Sequence, residues 1–517
     1  MRFKCLLVLC LFYCFVVGQP PQNRYTSAIF SNVTETSNVV FSANVPRPNP
    51  GGGFYESLTG YPLNVDEFST TNVNLYMNIF QPAGDTLRKR SVVIICFGGG
   101  FVAGSKDHWS IRLLAQELAK RGFVTAVIDY RLGMNIFDEE LSKRAVYRGI
   151  QDGRSAVRFF KADAAGSNLY RTDPDQIYIG GHSAGAFVAT HNAYLDKESE
   201  RPASTYVWPQ GCGILDLSTC WSQDQKCLDC VGNNQSFSGR AKAVFSLAGA
   251  VGFTSYMETE SDPKIVMFHS QDDDTVPYNS GQPFGSVSGW VVGFDLPLVY
   301  GSLPISQRAD IINLTDQFYS YTNRGHSLHE ATSTTLHSDI VPNISTWFYT
   351  QLLMPSPHHI NGKKNVCSYD LTQNYQTTPG TAAYYQWEVT GGTLVNYNPS
   401  SSLVTVDWHV NAPIRTLKLT PYSIWDAKGD QVTINVMVAP EFQNTWTAVS
   451  GNWTIGNNWS LLDVPDSCHR VIIPDQSGPA EIILQSSLPT QIKSLSIGTN
   501  TILSVKNPSS LTVEEQE

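Results

Sequence analysis

The stretch IYIGGHSAGAFVATHNAYL, Ile177–Leu195, decides the fold. It opens in β-branched and aromatic residues that suit a strand. It turns through Gly180-Gly181-His182-Ser183-Ala184-Gly185 and continues in residues that suit a helix. Glycines stand two places to either side of Ser183. Glycine permits a sharp turn and a close backbone approach that a side chain would block. A serine on such a strand–turn–helix has the setting required of a Gly-x-Ser-x-Gly nucleophile elbow. A hydroxyl attacks poorly unless a base takes its proton, and that base needs an orienting acid. Ser183 is therefore a candidate nucleophile, provided that a histidine and a carboxylate follow in suitable places.

Outward from this turn, strand-like and helix-like segments alternate between about Val73 and Leu353. SVVIICF (Ser91–Phe97), FVTAVIDYR (Phe123–Arg131), AKAVFSLAGAV (Ala241–Val251), KIVMFHS (Lys264–Ser270) and QFYSYTN (Gln317–Asn323) read as strands. Trp109–Gly122, Glu139–Asp163 and Leu336–Leu353 carry helical spacing. Continuous apolar strands alternating with helices predict a mainly parallel sheet covered on both faces. Its site should lie at the carboxyl ends of the strands. There, past Lys264–Ser270, stand Asp272, Asp273 and Asp274 as candidate acids. Past Gln317–Asn323 comes His326, behind a glycine, as the candidate base, with His329 and His337 as rivals nearer the next helix. His182 adjoins the serine and should point away from it, in a structural role. The loop CFGGGFVAGS (Cys96–Ser105) follows the first strong central strand, and its glycine backbone can approach a developing oxyanion. It contains neither Gly-x-Gly-x-x-Gly nor a following Gly-Lys-Ser/Thr, so it does not read as a phosphate loop.

In these motifs the chain resembles secreted α/β-hydrolases of the carboxylesterase and lipase-like kind, from roughly Tyr76 to Leu353. SVVIICFGGGFVAGSKD, VIDYRL, QIYIGGHSAGAFVA and HSQDDDTVPY carry the resemblance. It implies Ser183 as nucleophile and His326 as base. It selects Asp273 as acid, because the family's acid commonly stands three residues before a Val-Pro pair, here Val276-Pro277. It implies the backbone N–H groups of Ala184, Gly99 and Gly100 as the oxyanion hole. The family usually has histidine before these glycines; this chain has Phe97. The implied activity is carboxylic-ester hydrolysis through an acyl-enzyme; export and the appended β-modules point to acetyl or feruloyl esters on polysaccharide as substrates. Two other readings stand beside it. One is a peptidase of the prolyl-oligopeptidase kind. The other is an inactive binding or adhesion protein on a hydrolase fold.

The expected domain order is a signal peptide at 1–18, a catalytic domain at 19–354, a linker at 355–365, a β-sandwich at 366–440 and a small β-module at 441–517. The signal reading rests on Arg2 and Lys4 ahead of CLLVLCLFYCFVVG, which is too short to span a bilayer comfortably. Export and an extracellular location follow. The sandwich loosely resembles PKD-like modules on exported enzymes of Bacteroidetes-type bacteria, through YYQWEVTGGTLV and VTVDW between about Val366 and Val438. The last segment, with short strands at regular spacing, is expected to be solenoid-like. Both modules are expected to serve attachment to carbohydrate or a cell surface.

Residues 198–239 form an insertion carrying Cys212, Cys220, Cys227 and Cys230, expected as a lid-like wall of the pocket. Cys227-x-x-Cys230 has zinc-ligand spacing, but in an exported chain two disulfides at the pocket mouth are expected instead. Cys96 should be a buried free thiol, and Cys367 and Cys468 pair or stay free. Sequons at Asn32, Asn234, Asn313, Asn343, Asn452 and Asn458 matter only in a glycosylating host. At 517 residues the chain is too long for one core. A formal net charge of −10, with no Lys/Arg-rich run, argues against a nucleic-acid partner. No cofactor or metal is expected, and no membrane span once the signal is removed.

Overall fold

The computed structural model describes residues 23–51, 57, 60–213, 216–285, 294–330, 335–378 and 380–515. The expected signal peptide at 1–18 lies outside them. Among the described residues, no helix is long and apolar enough to cross a membrane. The chain divides into two compact units, Met1–Leu353 and Met354–Glu517.

The first unit is built on an eight-stranded sheet. Its strands are β1 (Val33–Pro50), β2 (Val65–Pro82), β3 (Arg90–Cys96), β4 (Val124–Ile128), β5 (Thr172–His182), β6 (Ala243–Leu247), β7 (Lys264–Ser270) and β8 (Asp316–Tyr321). The spatial order is β1-β2-β4-β3-β5-β6-β7-β8. β1 and β2 are antiparallel to their neighbours, and the remaining six run parallel. All seven residues of β3 and all five of β4 and β6 are buried. A fully buried Val or Ile contributes about 1.5–3 kcal/mol relative to leaving it exposed. These central strands therefore explain why the apolar runs were readable without alternation. The sheet and its helices make this an α/β-hydrolase fold followed by β-structure.

Five α-helices accompany the sheet in the described residues: α1 (Trp109–Lys120), α2 (Glu139–Ala165), α3 (Ala184–Tyr194), α4 (Ser302–Ile312) and α5 (Val341–Phe348). α2 starts where Asp138 accepts a hydrogen bond from Leu141 N (2.9 Å), with Glu139 and Glu140 in its first turn. That cap and those charges suit the positive end of a helix. α5 is flanked by wider helical turns at Leu336–Ile340 and Tyr349–Leu353, so the helical pattern of Leu336–Leu353 is continuous.

The cysteine-bearing insertion is strapped along α2. Arg144 donates to the carbonyls of Ser204, Tyr206 and Gln223, and Tyr147 Oη to Lys226 O. Gln151 donates to Gln225 O and Cys227 O, and Arg158 to Val231 O and Asn233 O. Disulfides join Cys212 to Cys220 and Cys227 to Cys230. The zinc alternative therefore has no free thiolates to use. Cys96 is buried and free.

The second unit has two apolar cores. One gathers Trp387, Trp408, Tyr375 and Leu419 between antiparallel strands, as in a sandwich. The short strand Ile360–Asn361 pairs with Thr372–Thr377 in one of its sheets. The sandwich thus begins within the segment read as a 355–365 linker, because an extended pair of residues is too short to announce itself in sequence. The other core gathers Trp446, Trp453 and Trp459 inside short strands paired in parallel from one coil to the next. Cys367 and Cys468 are joined by a disulfide.

Candidate active site

β5 delivers Ser183 at its end, and α3 begins at the next residue. The backbone of Ser183 has φ 54° and ψ −123°, a conformation that non-glycine residues rarely adopt. Such strain persists only where the surroundings over-determine it. Here they do. A Cβ on Gly181 would lie 2.4 Å from Cys96 O, and one on Gly185 would lie 2.2 Å from the same oxygen. The two flanking glycines let the turn pack directly on β3, and Ser183 N is tied to Leu247 O on β6 at 3.0 Å.

His326 and Asp273 meet at the carboxyl ends of β8 and β7. His326 Nδ1 lies 2.8 and 3.0 Å from the two oxygens of Asp273. A carboxylate only accepts, so Nδ1 carries the proton and Nε2 is left as the basic nitrogen. Asp273 is fully buried as a side chain. Burial pushes its pKa up, but hydrogen bonds from His269 and His326, and from backbone N–H groups, hold it well below the usual carboxylate range. The Thr275 and Val276 amides each donate to Asp273 Oδ1 at 2.9 Å. This explains the spacing to the Val-Pro pair: the amides two and three residues on, the last before the proline, curl back on the acid. Ser183 and His326 line one cavity, and among the described residues Ser183 Oγ makes no hydrogen bond.

The neighbouring acids have other work. Asp272 accepts from Ser270 Oγ and from the amides of Arg324 and Gly325 at 3.2 Å, which anchors the loop bearing His326. Asp274 accepts from Thr275 Oγ1. His337 stands 3.5 Å from Glu117 on α1, away from the site. His329 is buried with its ring centre 4.4 Å from that of His182. His182 Nε2 donates to the backbone carbonyl of His326 (3.1 Å), so it braces the loop rather than serving as a second base. Burial, then the neighbouring His329 and His326, depress its pKa far below that of free histidine.

One participant has no local sequence signature. His269, at the end of β7, faces Asp273 Oδ2 (3.1 Å) and Val276 O (3.2 Å) through Nε2, and Ser302 Oγ (2.9 Å) through Nδ1. Two acceptors fix the proton on Nε2, so Nδ1 accepts from the Ser302 hydroxyl. Asp273 is thus gripped by two imidazoles. The buried, strand-end position of His269 in KIVMFHS was the only available hint; its partner Ser302 sits on α4, which has weak helical periodicity.

The glycine loop lies against the serine. A Cβ on Gly98 would approach Ser183 Cβ to 3.2 Å. Gly99 and Gly100 have φ of 135° and 60°, and a Cβ on Gly99 would fall 2.2 Å from Ala103 O. Gly100 lines the cavities beside Ser183. Ala184 opens α3, where the first N–H groups have no partner within the helix. Phe97, in place of the family's histidine, stacks on Tyr130 with ring centres 4.4 Å apart, and Tyr130 Oη donates to Phe97 O (2.9 Å). Side-chain support for the loop is therefore aromatic here.

Two cavities meet at Ser183. One, of about 190 Å³, is walled by Phe187, Tyr147, Tyr256 and Val146. The other, of about 500 Å³, contains His182, His326, His329 and Glu330. Of the cysteine-bearing insertion, Pro202 lines the smaller cavity, and none of the four cysteines lines either one. The expected lid at the pocket mouth is instead a strap over α2, since its polar backbone is satisfied by that helix's arginines.

The family model BD-FAE matches residues 77–286, which include the glycine loop, Ser183 and Asp273. The chain is 34% identical over 132 residues to a neuroligin-like protein, glit-1, of Caenorhabditis elegans, covering 24% of this chain and 16% of that one. It is 32% identical over 155 residues to gut esterase 1 of Caenorhabditis briggsae, covering 28% and 26%. The chain thus spans about a sixth to a quarter of the length of these curated relatives. A truncated carbohydrate esterase from gut microbiota aligns with 64% of this chain and 99% of its own, at 16% identity and a TM-score of 0.38. The fold is that of an α/β-hydrolase, and over part of its length the chain is similar in sequence to esterases and to a neuroligin-like protein.

Proposed function

We propose that the protein is a serine hydrolase that cleaves carboxylic esters through an acyl-enzyme. The observation that carries this reading is the convergence of a strained Ser183 with a histidine whose Nδ1 is bound to a buried carboxylate. Ser183 Oγ attacks the ester carbonyl while His326 Nε2 takes its proton. Asp273 stays ionised and stabilises the imidazolium that forms. The backbone N–H groups of Ala184, Gly99 and Gly100 receive the oxyanion, where each such donor is worth about 3–4 kcal/mol. His326 then protonates the departing alcohol oxygen. Water, deprotonated by the same nitrogen, releases the acid and restores Ser183.

Export to an oxidising compartment belongs to the same reading, supported by the N-terminal sequence and by three disulfides. So does an ester borne on polysaccharide, with the C-terminal β-modules holding the enzyme to that material. The test is labelling of the intact protein by a fluorophosphonate, followed by a panel of acyl esters. A label on Ser183 that is lost in Ser183→Ala, together with ester turnover, supports the reading. An unlabelled, inactive protein favours the binding or adhesion alternative.

A further inference from the structure

We infer that the protein carries a second binding site, for an acidic sugar, in a cavity that the strap closes against α2, β1 and β2. The polysaccharide reading above supplies the source of that sugar, and the inference rests on it to that extent. The cavity holds about 330 Å³ and shares none of its described lining residues with the two beside Ser183. Helix α2 stands between them. Ser142, Val146 and Ile150 line the smaller catalytic cavity, whereas Arg144, Arg148 and Gln151 line this one. Residues three and four apart share a helix face, so the two sets occupy different faces of α2. A cavity of about 150 Å³ is enough for the six carbons of benzene. By the same ratio this one suits roughly thirteen non-hydrogen atoms, the size of a hexuronic acid.

The charge on the wall selects an anion. Asp152 answers Arg131, both side chains being almost fully buried. Glu67 alone answers both Arg144 and Arg148, which leaves one guanidinium charge over. Arg201 is shared between Asp224 and Glu198, which returns one negative charge. Lys226 lines the same cavity, and among the described residues its exposed amino group has no partner. The balance is a positive surplus, suited to a single carboxylate. Lys226 is held in place by its backbone, which is left-handed with φ 64°. Its N–H donates to Asp224 Oδ1 (2.8 Å), and its carbonyl accepts from Tyr147 Oη (3.0 Å). Strain kept at a site is a pointer to a role. The wall also selects hydroxyls. Arg148 Nε is a buried donor and Gln225 Oε1 a buried acceptor, and neither has a hydrogen-bond partner among the described residues. Leaving such groups unpaired is costly. A hydroxyl both donates and accepts, so a polyol answers both. Thr70 and the amides of Gln223 and Gln235 add further polar groups. Among the described residues no aromatic ring lines the cavity, so recognition falls to charge and hydrogen bonds.

The test is calorimetric titration of the intact protein with galacturonate, galactose, acetate and phosphate at one ionic strength. Galacturonate should bind about tenfold tighter than galactose or acetate, because it alone offers both a carboxylate and sugar hydroxyls; one charged hydrogen bond accounts for that factor. Lys226→Asn removes the amino group and keeps a residue that tolerates a left-handed backbone. It should weaken galacturonate by about tenfold and leave galactose unchanged. Thr70→Val, on β2, should weaken galacturonate and galactose alike and leave acetate unchanged. Acetate or phosphate binding as tightly as galacturonate overturns the inference, as does a wild type that binds none of the four, or unchanged galacturonate affinity in both variants. The substitutions sit on different elements, so misfolding of one leaves the other to decide. Fluorophosphonate labelling of Ser183 keeps the two levels apart. Labelled protein that does not bind galacturonate sinks this site alone, and unlabelled protein that binds it keeps the site and sinks the esterase reading.

Discussion

Asp273 is an anion maintained by its neighbours. Left alone, a fully buried carboxylate would be pushed toward its neutral form, and a neutral acid could not stabilise the imidazolium of His326. The hydrogen bonds from His269, His326, Thr275 N and Val276 N reverse that tendency. Ser183→Ala should therefore lower ester kcat by about 10⁴–10⁶-fold without a change in circular dichroism, and Asp273→Asn by about 10⁴-fold. His269→Ala should have an intermediate effect: a charged hydrogen bond is worth about 1.5–3 kcal/mol, so kcat should drop by roughly 10–100-fold. The low-pH limb of the rate profile should shift with it, and His269→Gln, which keeps a donor, should recover part of the loss. An unshifted profile would reduce His269 to a packing residue. The contrast between these residues shows what sequence can carry. Ser183 and its glycines form one local turn whose constraint is written in adjacent positions. His269 acts through Asp273 in the next turn and Ser302 on another helix, and that three-way contact has no linear trace.

At the scale of elements, the strap on α2 is held by buried charge. Glu67 on β2 receives Arg144 at 3.0 Å and Arg148 at 2.7 Å, all three side chains being almost fully buried. The remaining Arg144 donors go to three carbonyls of the insertion. Arg144→Met would leave those carbonyls unpaired and weaken the neutralisation of Glu67. Breaking a buried pair in this way costs about 3–5 kcal/mol. The expected result is a lower urea midpoint, together with new limited-proteolysis cuts within residues 198–239. An intact protease pattern would mean that the bonds from Tyr147, Gln151 and Arg158 hold the strap without Arg144. The sequence showed the insertion and its cysteines but not its destination. Position beside the nucleophile suggested a lid, whereas arginines spaced along a helix bind an irregular polar segment equally well. Strands β3, β4, β6 and β7 were legible because near-complete burial demands unbroken apolar runs; β1, half exposed along its length, and α4, with little amphipathic contrast, were not.

For the molecule as a whole, the complete candidate site lies in Met1–Leu353, while the sandwich and the coil of short strands have cores of their own. A chain ending at Leu353 should keep turnover of small soluble esters; a folded truncation that has lost it would show that the β-modules help to form the site. Acid stability should also be a property of the first unit, because three of its histidines are buried in neutral form. Burial depresses the pKa of His182 far below that of free histidine, and those of His191 and His329 to about 4. In the unfolded chain these groups protonate near ~6.5. Between about 4 and 6.5 the unfolded state therefore binds more protons, so stability falls as pH falls through that window. His191 and His329 each contribute up to roughly 3–3.5 kcal/mol to the drop. Asp273 acts lower: its folded pKa is depressed, so its contribution is present above the ordinary carboxylate range and is lost as pH falls through the folded value. Urea unfolding of the intact chain between pH 7.5 and 4.5 should show midpoints declining from about pH 6.5 downward. His329→Asn should flatten that decline, since asparagine has no proton to gain. An equal decline in the variant would mean that His329 titrates as freely in the folded protein as in the unfolded chain.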